Sequence, residues 1–251
     1  MRWIDKPAQP PAALCEYVTA QTPVGHGLDY KTFADTGAPC GGSRGKQLLD
    51  ELTAEQCGLC AYTGAGIDSR LGTPSDPITK LKFSAHNEHL KPQSVCRKEL
   101  EAAGRLYGTD PGEDMDHRNI VAALLVSGDG EKGKVARRDL FGASHRGNVP
   151  VPVVPTDCSC ENRFTFDLDG GINPTNPCDQ DAKDTIDVLN LGHETLAGWR
   201  AQAIVVFLEG VQNRTDAAQI VTATTTPQKG WLPEYSFAIR QVVQRLLNET
   251  P

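Results

Sequence analysis

The chain has 251 residues, of which 39% are hydrophobic and 23% charged, and it contains 24 glycines and 17 prolines. This composition is typical of a loop-rich globular protein that can bury a sizeable core, and it excludes a disordered or fibrous chain. A formal net charge of −7 has the wrong sign for a protein whose whole surface binds nucleic acid, so any such binding is expected to be local or shared with a partner.

The N-terminal sequence and the cysteines indicate a cellular location. The opening MRWIDKPAQPPAALCEYV has no apolar run after its basic residue, so it does not resemble a secretory signal, and no stretch predicts a membrane span. Eight cysteines in a chain of this length are too sparse for a secreted disulfide scaffold. We therefore expect a cytoplasmic protein with free thiols or a metal knuckle.

The first segment, residues 1–56, is expected to be helical. A short helix is predicted over Pro11 to Thr19, and the run SRGKQLLDELTAEQ has leucines at helical spacing. Ser43 stands where its hydroxyl can cap the second helix.

The middle segment, residues 57–150, is dominated by turn-forming residues. Its only strongly apolar run is NIVAALLV at 119–126, which fits either a strand or a buried helix, because periodicity alone does not separate the two for so short a run.

The last segment, residues 151–251, opens with the Pro-rich connector VPVPVVP. A short strand is predicted over 163–168, followed by a hairpin turn at DGG. Two amphipathic helices are then expected, one within 185–211 that starts near His193 and one within 232–247. They are interpreted as core-packing elements, although they would also serve as docking surfaces.

The stretch HNEH, residues 86–89, contains the residue types that metal-dependent hydrolysis requires. A divalent cation favours a carboxylate and tolerates an imidazole, and hydrolysis of a phosphodiester needs a base that takes a proton from water. Glu88 and His89 supply both groups, and on an extended strand they would point to opposite faces. A Glu–His pair alone is a weak signal, since such residues are more often solvated surface groups.

The surrounding motifs resemble those of the HNH endonucleases, which have the ββα-metal (His-Me finger) fold, and more narrowly the PtuB-like HNH component of Septu and retron anti-phage systems. EQCGLCAYTG is similar to the family's GLCAYC segment, HNEHLKPQS to its HIEHFKPKS block, and RNIVAALLVSG to the apolar run after its central Asn. SHRGN and TIDVLNLGHETLAGWR follow in the family's order, and MRWIDKP is similar to its start.

The resemblance implies a fold and a set of roles. The fold would be α+β, a ββα-metal HNH core within a mainly helical single domain that has N- and C-terminal helical extensions. Glu88 would ligate the metal, His89 would be the general base, Asn119 would hydrogen-bond within the loop and orient that base, and His145, on a short helix, would be the second metal ligand. The cation would be Mg²⁺, with Mn²⁺ as the alternative.

Further residues are candidates for secondary roles. His86 could be a further ligand, a substrate contact or a structural histidine, and Lys91 and Arg146 could contact phosphate. Cys57 and Cys60 form a C-x-x-C pair, but Thr63 stands where the family usually has the next cysteine. A structural Zn²⁺ is therefore not expected.

The function implied is that of an endonuclease that hydrolyses phosphodiester bonds, with DNA as the favoured substrate. It would act as the effector of a defence system together with an ATPase partner of the PtuA type. RNA, including transfer RNA, is an alternative substrate because it presents the same scissile phosphate. A third hypothesis is a non-catalytic interaction module, which would apply if residues 88, 89, 119 and 145 did not converge in space.

Overall fold

The computed structural model describes residues 1–67, 81–128 and 135–249, which form a mixed α+β fold, as predicted. Buried core residues come from all three sequence segments, so they share one core. None of the described helices has both the length and the apolar character that a bilayer span requires.

The described strands are β1 (Leu81–His89), β2 (Ile120–Gly128), β3 (Phe164–Phe166) and β4 (Ile172–Pro174). The described helices are α1 (Ala12–Gln21), α2 (Tyr30–Asp35), α3 (Arg44–Glu55), α4 (Gln93–Ala102), α5 (Ala143–Arg146), α6 (Gln180–Val188), α7 (Glu194–Leu208), α8 (Arg214–Thr225) and α9 (Ser236–Glu249).

The central element is the antiparallel pair of β1 and β2. The strands pair over nine residues, with Leu81 opposite Gly128 and His89 opposite Ile120. The apolar run at 119–126 is therefore a strand for most of its length, and residues 120–124 are all buried. Its backbone is also bound from outside the pair, because the Gln56 side chain accepts from the N–H of Ala122 and donates to the Ala122 carbonyl. The end of β1 is thus fixed against the buried first half of β2.

The predicted N-terminal helices are confirmed as α1 and α3. Ser43 caps α3, since its hydroxyl accepts from the Lys46 N–H at 3.2 Å, and Leu48 and Leu52 of that helix are fully buried. The short helix α2 was not predicted; it begins after Asp29, whose carboxylate accepts from the Thr32 N–H.

The one-turn helix α5 packs on β2. Its Ser144 hydroxyl accepts from the Val126 N–H at 2.8 Å, and the Gly142 N–H before it donates to the Leu189 carbonyl. Glycines with positive φ precede and follow the helix, Gly142 at 62° and Gly147 at 57°. These bonds hold α5 between the central strand pair and the C-terminal helices.

The C-terminal segment contains the predicted hairpin and two more helices than predicted. β3 and β4 pair through the DGG turn, where Gly170 has φ +79° and a Cβ would lie 1.9 Å from the Ala197 carbonyl oxygen. Helix α7 begins after His193, as expected, and α9 is also confirmed. Helices α6 and α8 are not among the predicted ones. Helix α6 is amphipathic and buries Ala182 and Thr185, whereas α8 has no strong apolar stripe, and the hydroxyls of its Thr222, Thr224 and Thr225 bond back to carbonyls of the same helix.

Candidate functional site at the end of strand β1

Glu88 and His89 close strand β1 and have different neighbours, as alternation along a strand requires. Glu88 lies beside His86 and Arg146. His89 lies beside Tyr30, Gln93 and the turn that carries Asp114. The two side chains therefore occupy adjoining but separate polar environments.

The carboxylate of Glu88 is largely removed from water, with 14% of its side chain exposed. Its Oε1 lies 3.2 Å from Nε of Arg146, and its Oε2 lies 3.5 Å from Nε2 of His86. Burial raises the pKa of Glu88 to about 7, although Arg146 acts in the opposite direction. Near neutral pH the carboxylate is therefore only partly ionised, and a further positive charge would favour its ionised form.

Arg146 is the main partner of this carboxylate and is itself buried. Besides Glu88, its guanidinium donates to the Tyr62 hydroxyl at 2.7 Å and to the His89 carbonyl at 2.6 Å. Its side chain therefore ties α5 to the end of β1. Contact with a phosphate, which the sequence suggested for this residue, would compete with these bonds and stays a prediction.

The hydrogen bonds of His89 determine its tautomer. Nε2 lies 2.9 Å from the Asp114 carbonyl oxygen, and since a carbonyl can only accept, Nε2 carries the hydrogen. In the neutral ring Nδ1 then has the lone pair, which accepts from the Gln93 side-chain amide at 3.2 Å. Burial lowers the pKa of His89 below its usual value, so the ring is neutral at physiological pH. A neutral imidazole with a fixed Nδ1 lone pair is a competent proton acceptor.

Asn119 holds the backbone around this histidine. Its Oδ1 accepts from the Lys91 N–H at 2.7 Å, and its Nδ2 donates to the Glu113 carbonyl at 3.0 Å and to the Lys91 carbonyl at 3.2 Å. The side chain thereby joins the segment after β1 to the turn that carries Asp114, the hydrogen-bond partner of His89. Asn119 thus hydrogen-bonds within the loop, as expected. None of its described hydrogen bonds goes to the His89 ring, but it holds Glu113, the residue before the Asp114 whose carbonyl binds that ring.

His145 lies on α5, as predicted, but it faces a different neighbour. Its Nδ1 lies 2.9 Å from the Val188 carbonyl oxygen at the end of α6. Within the described residues its ring forms no hydrogen bond or ion pair with Glu88, and the adjacent Arg146 makes that contact instead. Its role as a metal ligand stays a prediction.

Lys91, a candidate phosphate contact, is engaged by carboxylates. Its Nζ lies 2.8 Å from Oε2 of Glu113 and also pairs with Glu99. These hydrogen bonds raise the pKa of Lys91 above its ordinary value. A phosphate at this position would have to displace at least one carboxylate.

The candidate thiols have separate environments. Cys60 is buried and its Sγ accepts from the Leu124 N–H at 3.2 Å, whereas Cys57 is half-buried in a positive-φ conformation. Both are free thiols. Across 1–67, 81–128 and 135–249 no three or more His, Cys, Asp or Glu side chains come together as a metal site.

Two residues of this site were not found by sequence reasoning. Gln93 covers Nδ1 of His89, and its position four residues after the histidine was the only available signal. Asp114 accepts the His89 hydrogen bond with its backbone carbonyl, which any residue type could provide, and its carboxylate also acts to raise the pKa of His89.

A scan against protein-family models finds no match to this chain, and a search of curated proteins also finds none. The functional assignment therefore depends on the chemistry of the site and on the motifs in the sequence.

Proposed function

We propose that this protein is a metal-dependent endonuclease of the HNH type that hydrolyses phosphodiester bonds, with DNA as the favoured substrate. The observation that carries the proposal is the pair at the end of β1: a buried carboxylate directly before an imidazole whose Nδ1 is held as a proton acceptor. Metal-dependent hydrolysis of a phosphodiester uses a metal ligand such as a carboxylate and a base that takes a proton from water.

In this proposal His89 is the general base. Nδ1 accepts a proton from the attacking water, and the Nε2–H bond to the Asp114 carbonyl stabilises the imidazolium that forms. The Gln93 amide has to leave Nδ1 before a water can reach it. Asn119 is a positioning residue, since it fixes the turn that carries that carbonyl.

Glu88 is the proposed ligand of a divalent cation, either Mg²⁺ or Mn²⁺. The surroundings of Glu88 fit this role for two reasons. Its Oε2 forms no hydrogen bond to the described residues, and its pKa is raised because burial outweighs the stabilising charge of Arg146. A bound cation would stabilise negative charge on the phosphate and on the leaving oxygen.

The resemblance to PtuB-like proteins supports a role as the effector of an anti-phage defence system with a PtuA-type ATPase as partner. The net charge of −7 supports such a division of labour, because a partner would then provide much of the attraction for nucleic acid. Cleavage of RNA would use the same catalytic groups as cleavage of DNA, so only an assay with both substrates distinguishes the two activities.

A non-catalytic interaction module is the second candidate, and one observation favours it. Glu88 already has a buried arginine partner and Nδ1 of His89 already has a donor, which are contacts that a purely structural polar network would make. The two candidates differ in whether His89 is needed for anything besides folding.

The test is cleavage of plasmid DNA and total RNA in Mg²⁺ or Mn²⁺, with and without the ATPase partner. His89→Ala and the more conservative His89→Gln should each lower the cleavage rate by about 100-fold or more, the usual contribution of a general base. His26→Ala, at an exposed position, is the matched control and should cleave as the wild type does. Wild-type rates in a folded His89→Gln protein, or no cleavage of either substrate under any condition, would favour the interaction module.

A further inference from the structure

His86 has a buried ring nitrogen with no hydrogen bond. Nε2 of His86 is inaccessible to solvent and has no hydrogen-bond partner among the described residues. Oε2 of Glu88 lies 3.5 Å from this nitrogen. The two residues are two apart on β1 and therefore lie on the same face of the strand. Because a buried polar atom without a partner is unfavourable, a ligand bound at this nitrogen would stabilise it.

The separation of the two atoms suits two ligands of one metal ion. Ligands about 2.1 Å from a cation are about 3.0 Å apart at neighbouring octahedral positions and about 3.4 Å apart in a tetrahedron. The observed 3.5 Å between Nε2 and Oε2 needs only a small rotation of either side chain. We propose that His86 and Glu88 together bind a single first-row divalent transition-metal ion, and that they bind Mn²⁺ more tightly than Mg²⁺.

The preference for Mn²⁺ follows from the donor atoms. Mg²⁺ strongly favours oxygen ligands, whereas an imidazole nitrogen suits first-row transition metals, and a carboxylate suits Mn²⁺ as well as Mg²⁺. A site with one nitrogen and one oxygen therefore discriminates against Mg²⁺. The inference deepens the proposed function by naming the ligand pair, and it depends on that function only for what the ion does in catalysis.

The charges around the pair leave room for a cation. Arg146 lies against Oε1 of Glu88, so the cation would bind on the side of Oε2 and the carboxylate would bridge the two positive charges. The side chains of His86 and Glu88 are 27% and 14% exposed, but Nε2 of His86 is itself closed to solvent, so the His86 ring has to rotate before a cation can reach that nitrogen. Water and phosphate oxygens would complete the coordination.

Titration of the full chain with Mn²⁺, followed by electron paramagnetic resonance of the free ion, measures the affinity without substrate. The wild type should bind one Mn²⁺, with Mg²⁺ competing only at higher concentration. His86→Ala and Glu88→Gln should each weaken Mn²⁺ binding at least about tenfold. The exposed control His26→Ala should leave the affinity unchanged, and circular dichroism checks that each variant is folded.

A measurement on the wild type alone avoids dependence on folding of the variants. Substoichiometric Mn²⁺ should broaden the ring resonances of His86 in nuclear magnetic resonance spectra far more than those of His145. The proposal is overturned if the wild type binds no Mn²⁺, if His86→Ala binds it normally, if Mg²⁺ binds as tightly as Mn²⁺, or if broadening centres on His145.

The cleavage assay separates this inference from the proposed function. Mn²⁺ binding that needs His86 and Glu88 in a protein that cleaves nothing would support the metal site and contradict the nuclease. If cleavage is lost in the His89 variants but His86→Ala binds Mn²⁺ with wild-type affinity, the nuclease is supported and this ligand pair is contradicted.

Discussion

Two of the arginines that the structure describes are buried, and they have different surroundings. Arg200, on α7, is 1% exposed; its Nε donates to the Gly170 carbonyl and its Nη2 to the Leu191 carbonyl. It forms no ion pair with a carboxylate of the described residues, and burial lowers its pKa to about 10. Arg146, on α5, is 2% exposed and pairs with the carboxylate of Glu88.

The comparison shows that a buried charge does not by itself identify a functional site. Arg200 closes the turn between β3 and β4 onto α7, and its partners are satisfied by that contact. Near Arg200 one polar atom, the Tyr235 hydroxyl, is buried without a hydrogen bond to the described residues. Among the same residues, three nitrogen or oxygen atoms around Arg146 have no hydrogen bond or one that can be exchanged: Nε2 of His86, Oε2 of Glu88 and Nδ1 of His89. An imidazole nitrogen and a carboxylate oxygen can coordinate a cation, whereas the atoms that Arg200 contacts are backbone carbonyls that hold the fold together.

Replacing Arg200 should have the largest effect on stability. Arg200→Met keeps much of the side-chain volume but leaves the Gly170 and Leu191 carbonyls buried without donors, so the free energy of unfolding should fall by about 4 kcal/mol. Urea denaturation measures this, with Arg138→Met as the control, since 87% of the Arg138 side chain is exposed. A loss below about 1 kcal/mol would mean that these hydrogen bonds are not structural.

Asn119→Ala should have the next largest effect. It removes the acceptor of the Lys91 N–H and the donor to the Glu113 carbonyl, so the free energy of unfolding should fall by about 2 kcal/mol. Because the turn that holds His89 is loosened, exchange of its Nε2 hydrogen with water, seen by nuclear magnetic resonance, should also become faster. Asn148→Ala, at an exposed position, should change neither quantity.

Glu88→Gln should change how stability depends on pH when a chelator keeps divalent metals away. The pKa of Glu88 is about 7 in the folded chain and near 4.5 when exposed, so between these values the folded state holds the proton and the unfolded state does not. The wild type should therefore lose about 2 kcal/mol relative to Glu88→Gln as the pH rises from 5 to 8. Thermal unfolding across this range measures the difference. Parallel curves would show that the carboxylate is not desolvated, and Glu209→Gln, at an exposed position, is the control.

Gln93→Ala should have the smallest effect, and it tests whether Nδ1 of His89 is a free acceptor. The Gln93 amide donates to a lone pair that exists only in the neutral ring, so its removal should raise the pKa of His89 by an amount equivalent to about 1 kcal/mol or less. Nuclear magnetic resonance titration of the ring checks this. A lowered pKa would contradict the assigned tautomer, and Gln180→Ala, another residue at the start of a helix, is the control.

Local sequence signals predicted the helices and strands that are stabilised by interactions between residues close in sequence. Helix α3 has a capping serine and leucines on one side, and the hairpin of β3 and β4 has its DGG turn. Helix α8 was missed because its core contact depends on few residues, such as Ala217, and its threonines give no periodic apolar signal. The state of the run at 119–126 depended on its pairing with β1, which no local pattern encodes.

By itself the sequence determined α1, α3 and the hairpin of β3 and β4, because capping, leucine periodicity and turn chemistry act over a few residues. The α+β class, the strand that ends in Glu88 and His89 and the short helix of His145 were expected from the resemblance to HNH proteins, and these elements are present in the structure. Only the tertiary structure decided that Arg146 and not His145 meets Glu88. Successive helical residues are rotated by about 100°, so the contact depends on how the single turn of α5 is set against β2. It also decided that Asp114 and Gln93 fix the ring of His89, because a backbone carbonyl and a folded-over side chain meet it only once distant segments have packed.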